Sequence, residues 1–141
     1  MSFTSSWRIA LALALAATAA RAADLTVAVT GVKDDSNTIR IVLYDHPDGF
    51  RHEDKAAQLL SLPAKPGTVS GTFHDLATGR YAVIAYHDEN GNQRLDMVMG
   101  MFPAEGWGLS NDPTVIGPPS FEESAFDLGV DGGTVTVPLH Y

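Results

Sequence analysis

Short runs of alternating or continuous apolar residues, each broken within about ten positions by glycine, proline, asparagine or aspartate, constrain this chain more than any other feature. Alternation at period two suits a strand with one buried face, whereas a helix needs apolar residues three and four apart over several turns. Residues 25–30 and 38–44 alternate well enough for two half-buried strands, and the polar link at 33–37 predicts a hairpin between them. Further strands are predicted over 58–64 and 68–74 around Pro66-Gly67, over 81–86 after a corner at 75–79, and over 125–130 and 134–141 around Asp131-Gly132-Gly133. In the last run Val135, Val137, Leu139 and Tyr141 share a face, while residues 53–57 offer at most one helical turn. About seven short strands at this spacing predict an all-β fold, a single Greek-key β-sandwich.

The first 22 residues read as an export signal, with Arg8 at its start, an apolar stretch over residues 9–20 and the small-residue site Ala20-Arg21-Ala22. The mature domain then begins at Ala23 and runs over residues 23–141, long enough for one core. The apolar stretch falls short of the roughly 20 residues that a spanning helix requires, so the expected product is a periplasmic or secreted protein with no membrane span. The remaining runs are shorter than the roughly 9–11 residues of a membrane β-strand. Cysteine is absent, which excludes disulfides and attachment through a lipoprotein cysteine. Loss of Arg8 and Arg21 with the signal takes the formal charge from −8 to −10, a balance that disfavours nucleic acid and favours cations. A monomer is expected.

The segment His87-Asp88-Glu89-Asn90-Gly91-Asn92-Gln93-Arg94-Leu95-Asp96 places oxygen-bearing side chains at alternate positions, Asp88, Asn90 and Asn92, and closes on Asp96. Ca²⁺ takes six to eight oxygens at about 2.3–2.6 Å, and a tight loop of this kind can turn several to one side. It is not an EF-hand: counting from Asp88, Gln93 stands where the EF-hand glycine belongs and Met99 where its closing glutamate belongs. Gly91 supplies the bend instead. The candidate ligands are Asp88, Asn90, Asn92 and Asp96 through side-chain oxygens, Arg94 through its carbonyl, and Glu105 as a distal carboxylate. A bound Ca²⁺ would be structural and would order the Gly/Pro-rich residues 97–119. The alternative local reading is a plain Asn-Gly hairpin turn.

Other residues divide between structural and chemical roles. Tyr81, two positions after Gly79, is placed as a tyrosine corner. Trp107 between two glycines serves either as a plug for the core or as an aromatic platform for a protein or carbohydrate ligand. His46 and His52, among Asp45, Asp48, Glu53 and Asp54, lack diagnostic metal spacing, and His87 is expected to cap the strand end or orient Asp88. No recognisable catalytic motif occurs, and Ser110 lacks the second glycine of a nucleophile elbow. An envelope hydrolase acting through Asp88, Asp96 and Glu105, or a structural module without metal, stand as the other functional classes.

An ordered set of residues carries a family resemblance: Ile41-Val42-Leu43-Tyr44, Phe50, Asp75-Leu76, Gly79-Arg80-Tyr81-Ala82-Val83, the acidic loop through Asp96, Gly100, Pro103, Glu105-Gly106-Trp107-Gly108, Ser110-Asn111 and Pro118-Pro119-Ser120-Phe121. With these the chain resembles the DUF2141 family of exported bacterial proteins across essentially all of its mature region. The resemblance implies a small sandwich similar to transthyretin-like domains and brings no established activity. The chain departs from the family pattern at Gln93, where glycine is common, and at Met97, where a polar residue is usual.

Overall fold

Tyr81-Ala82-Val83-Ile84-Ala85-Tyr86 has no polar alternation, so a strand there must be covered on both faces. The computed structural model describes residues 22–141, and the expected export signal lies outside the described residues apart from Ala22. The strands are β1 (Ala23–Val32), β2 (Thr38–Tyr44), β3 (Gln58–Pro63), β4 (Gly67–Leu76), β5 (Gly79–Asp88), β6 (Met97–Val98), β7 (Phe102–Pro103), β8 (Trp107–Leu109), β9 (Phe126–Leu128) and β10 (Gly133–Pro138). One four-residue helix, α1 (Phe121–Ser124), starts with a capping box in which Ser120 and Glu123 bond each other's backbone N–H.

Two sheets face each other, as an all-β sandwich requires. One has the order β10-β1-β4, with β10 parallel to β1, and the other runs β3-β2-β5-β8, with β9 added beside the start of β5. Between them lie Leu25, Val27 and Val29 of β1, Ile39, Ile41 and Leu43 of β2, Phe73 of β4, Val83 and Ala85 of β5, and Val137 of β10. Each such aliphatic side chain contributes roughly 1.5–3 kcal/mol by leaving water.

The alternate residues of the second sheet face a separate apolar layer. Val42, Tyr44, Ala82, Ile84 and Tyr86 pack there against Leu109 of β8, Phe121 of α1, and Phe50 and Ala125 from connecting segments. Phe50 meets Tyr44 edge-on at 5.2 Å and Phe121 at 5.9 Å between ring centroids. The continuous apolar run of β5 is thus explained by a second layer made of loops.

One pairing expectation is corrected: β1 and β2 do not form a hairpin but lie in different sheets, and the turns after β3 and β9 likewise lead from one sheet to the other. The turns at these places carry the chain across the core. Among the described residues ten strands replace the expected seven, because residues 97–109 hold β6, β7 and β8, which are too short to show alternation. Tyr81 is a tyrosine corner as predicted, its hydroxyl donating to the Ala77 carbonyl at 2.7 Å. Among the described residues no helix is long and apolar enough to cross a membrane.

Candidate metal centre

β5 delivers the acidic loop. Strand alternation sends His87 toward the inner core and Asp88 to the opposite face, so the expectation that His87 orients Asp88 is corrected. Asp88 is buried, and its two carboxylate oxygens accept the N–H groups of Asn92 at 3.1 Å and Gln93 at 2.8 Å. These bonds wrap residues 88–93 around one carboxylate. The bend has positive φ at Gly91 (74°) and at Gln93 (62°), the latter a conformation that glycine adopts more cheaply than glutamine. A Cβ on Gly91 would lie 3.0 Å from Asn37 Oδ1, and the Asn37 side chain donates to the Glu89 carbonyl at 2.6 Å. The loop is docked on the β1–β2 link. β5 pairs with β8 beyond it, which removes the reading of Asn90-Gly91 as a hairpin turn between adjacent strands.

Asp96 closes the cluster. Its carboxylate accepts the amide N–H groups of Asn90 at 2.6 Å and of Asn92 at 2.7 and 2.9 Å. Asn90 Oδ1 accepts from Asn92 N–H and Asn92 Oδ1 from Arg94 N–H, two successive Asx turns. Glu105, just before β8, is 6% exposed and reaches into the same place, accepting Glu89 N–H at 3.1 Å and Asp96 N–H at 3.3 Å. It staples the two ends of the loop together. The fold therefore gathers Asp88, Asn90, Asn92, Asp96 and Glu105, while Arg94 enters through its N–H rather than through a recorded carbonyl contact.

The electrostatics of the cluster are unbalanced. Among the described residues none of Asp88, Asp96 and Glu105 belongs to an ion pair. Burial pushes the Glu105 carboxyl up, with the Asp96 and Asp88 charges adding to it and two N–H bonds opposing it. Amide donors from Asn92 and Asn90 hold Asp96 below the usual carboxylate range. All the side-chain donors are hard oxygens or amides that present an oxygen after rotation about their terminal bond, a set that suits Ca²⁺ and not a soft metal.

A second group was not legible from sequence. Asp34, His87 and Glu89 bring potential ligand atoms within 4.8 Å of one another. Each is already occupied. The Ser36 carbonyl, 2.7 Å from His87 Nε2, can only accept, so Nε2 carries a proton; Nδ1 then accepts from the Tyr141 hydroxyl at 2.8 Å. Tyr141 in turn accepts Lys33 N–H, and the Lys33 ammonium pairs with Glu89 and lies 4.9 Å from the Tyr141 ring centre. This hub ties β5 to the β1–β2 link and to the end of the chain.

The histidine group of the 45–57 connection is not assembled. His46 Nδ1 accepts Asp48 N–H, capping a turn, while Glu53 bonds Arg40 and the Tyr86 hydroxyl. Ser110 is fully buried, its hydroxyl accepting Val83 N–H at 2.9 Å and donating to the Ser124 carbonyl. Trp107 lies in β8 rather than in a loop, half-buried against the outer apolar layer, and lines a cavity of about 270 Å³ with Asp112, Val115 and His140.

No curated protein and no solved structure matches the chain. Residues 27–137, which include the loop, the Glu105 staple and both sheets, match the family described as "Uncharacterized protein conserved in bacteria (DUF2141)", and the chain belongs to that family.

Proposed function

We propose that this is an exported envelope protein whose acidic loop binds one Ca²⁺, with Asp88, Asn90, Asn92 and Asp96 as side-chain donors, the Arg94 carbonyl as a further donor and Glu105 as the distal carboxylate. The observation that carries this reading is the convergence of three carboxylates that form no salt bridge among the described residues, two of them buried and Glu105 shifted toward its neutral form. A divalent cation there supplies the missing positive charge. In the ion-free protein the Asn90 and Asn92 amide N–H groups partly fill that role toward Asp96. To bind the ion, both amides turn their oxygens inward.

The consequence is structural. Ala104 N–H donates to the Asp96 carbonyl at 2.7 Å, and Glu105 accepts Asp96 N–H, so the root of the 97–103 ribbon is built from two of the proposed ligands. Fixing them fixes the approach to β8 and to Trp107, the surface proposed for a protein or carbohydrate ligand. A hydrolase reading draws on Glu105 as a buried carboxyl with a raised pKa. It ranks second because both Glu105 oxygens are already engaged by backbone N–H groups.

Thermal melts in EDTA and in excess Ca²⁺ test the proposal. A site confined to the folded state raises the melting temperature by several degrees, since binding at 100 times Kd is worth about 2.7 kcal/mol. Asp88→Ala should remove that difference. Equal melting temperatures for the unaltered chain at saturating Ca²⁺ reject the calcium site.

A further inference from the structure

The methionines of this chain are not distributed. Apart from Met1 they are Met97, Met99 and Met101, three thioethers within five residues. Methionine is ordinarily a core residue, yet these are 45%, 83% and 63% exposed, so packing does not account for them. They form the β6–β7 ribbon, in which Met97 pairs with Pro103 and Val98 with Phe102. Met97 stands in β6 opposite Pro103, while Met99 and Met101 belong to the turn that joins β6 to β7.

The turn adds a second observation. Met101 N–H donates to the Val98 carbonyl at 3.1 Å, and both central residues have positive φ, Met99 at 54° and Gly100 at 68°. This is the type I′ pattern, which favours Asn or Gly. A methionine there holds a left-handed conformation that is unfavourable for any residue with a Cβ, yet its side chain stays 83% exposed. Strain kept for an exposed thioether at the tip of a ribbon, flanked by two more, points to the sulfur atoms themselves.

We propose that Met97, Met99 and Met101 form an all-thioether site for Cu(I). Thioethers are soft ligands that select Cu(I) over Ca²⁺, Mg²⁺ and other hard ions, and the chain has no cysteine thiolate to compete for it. The ribbon leaves the domain directly after Asp96, and the negative charge of the chain favours a cation there. The site stands apart from the calcium reading, because its donors are sulfur and those of the loop are oxygen.

The test is an anaerobic titration of the full mature chain, in calcium-free buffer, with Cu(I) held by a chromophoric Cu(I) chelator. The unaltered chain should withdraw one equivalent and shift the three methionine ε-methyl signals in NMR spectra. The M97L/M99L/M101L variant keeps the apolar bulk and loses the sulfur; it should melt like the parent and withdraw none. Retention of copper by the chelator in the presence of the unaltered chain overturns the proposal. So does equal uptake by the leucine variant. Should the methionines serve only as an apolar contact surface, the leucine variant would behave as the parent and neither protein would take copper. None of these readouts depends on whether Ca²⁺ changes the melting temperature.

Discussion

Gln93 holds a left-handed backbone conformation, φ 62°, that exists to aim its N–H at Asp88. Replacing it with glycine removes the Cβ penalty, keeps the N–H bond and should stabilise the ion-free chain by about 0.5–1 kcal/mol in urea unfolding. A loss of stability would show that the Gln93 side chain contributes something the backbone does not. At Tyr81 the opposite applies. Tyr81→Phe leaves the Ala77 carbonyl without its donor and should cost about 1 kcal/mol in the same measurement. Gln93 showed in the sequence only as a departure from the family resemblance, but Tyr81 was legible from its spacing after Gly79. So was the grouping of Asp88, Asn90, Asn92 and Asp96, because their contacts span six residues or fewer. The His87 hub was not. Its partners Ser36 and Tyr141 stand 51 and 54 positions away, and no local pattern encodes a meeting of that range.

At the scale of elements, turn chemistry announces where the chain reverses and is silent on which sheet receives it. Lys33 to Asn37, Pro66-Gly67 and Gly132-Gly133 all mark real breaks, yet each delivers the chain to a different set of neighbours from that a hairpin would give. The choice is made by burial. β5 has two apolar faces and takes the centre of its sheet, while β1 has one face and lies in the thinner sheet. Close approaches between elements make a graded test. A Cβ at Gly108 in β8 would stand 2.0 Å from the Pro138 carbonyl oxygen of β10, whereas one at Gly106 would stand 2.3 Å from the Tyr141 ring, which can swing aside. Gly108→Ala should therefore cost about 2–3 kcal/mol, and Gly106→Ala should cost less while disturbing the His87 ring signals. Reversed magnitudes in denaturant melts would place the rigid contact at Tyr141 instead.

For the whole molecule, carboxylates of two kinds set the response to acid. Asp24, Asp34, Asp96 and Glu123 have lowered pKa values, held down first by His74, Ser36, Asn92 and Ser120 respectively, so the stability they lend is present above their unfolded values and lost as pH falls through the folded ones. Glu105 is raised, so its contribution to the ion-free fold is complete below its unfolded value and is lost as pH rises through the folded one. Ca²⁺ at the proposed site would invert that term, because only the ionised carboxyl coordinates. The difference between melts with Ca²⁺ and with a chelator should shrink as pH falls through the raised Glu105 value, where that carboxyl takes up its proton. A difference that stays constant over that fall would exclude Glu105 from the ligand set.

The parallel ladder between β1 and β10 sets residue 25 against residue 133. One edge of β1 therefore stays bare until residues 133–138 have been made, and no early stretch can finish its own sheet. Contacts of such separation close slowly, on the millisecond-to-second scale typical of β topologies. A nascent chain arranged in this way keeps that edge open for as long as the closure takes. Deleting β10 should accordingly leave a product that is degraded or aggregates through the uncovered strand rather than a smaller folded core.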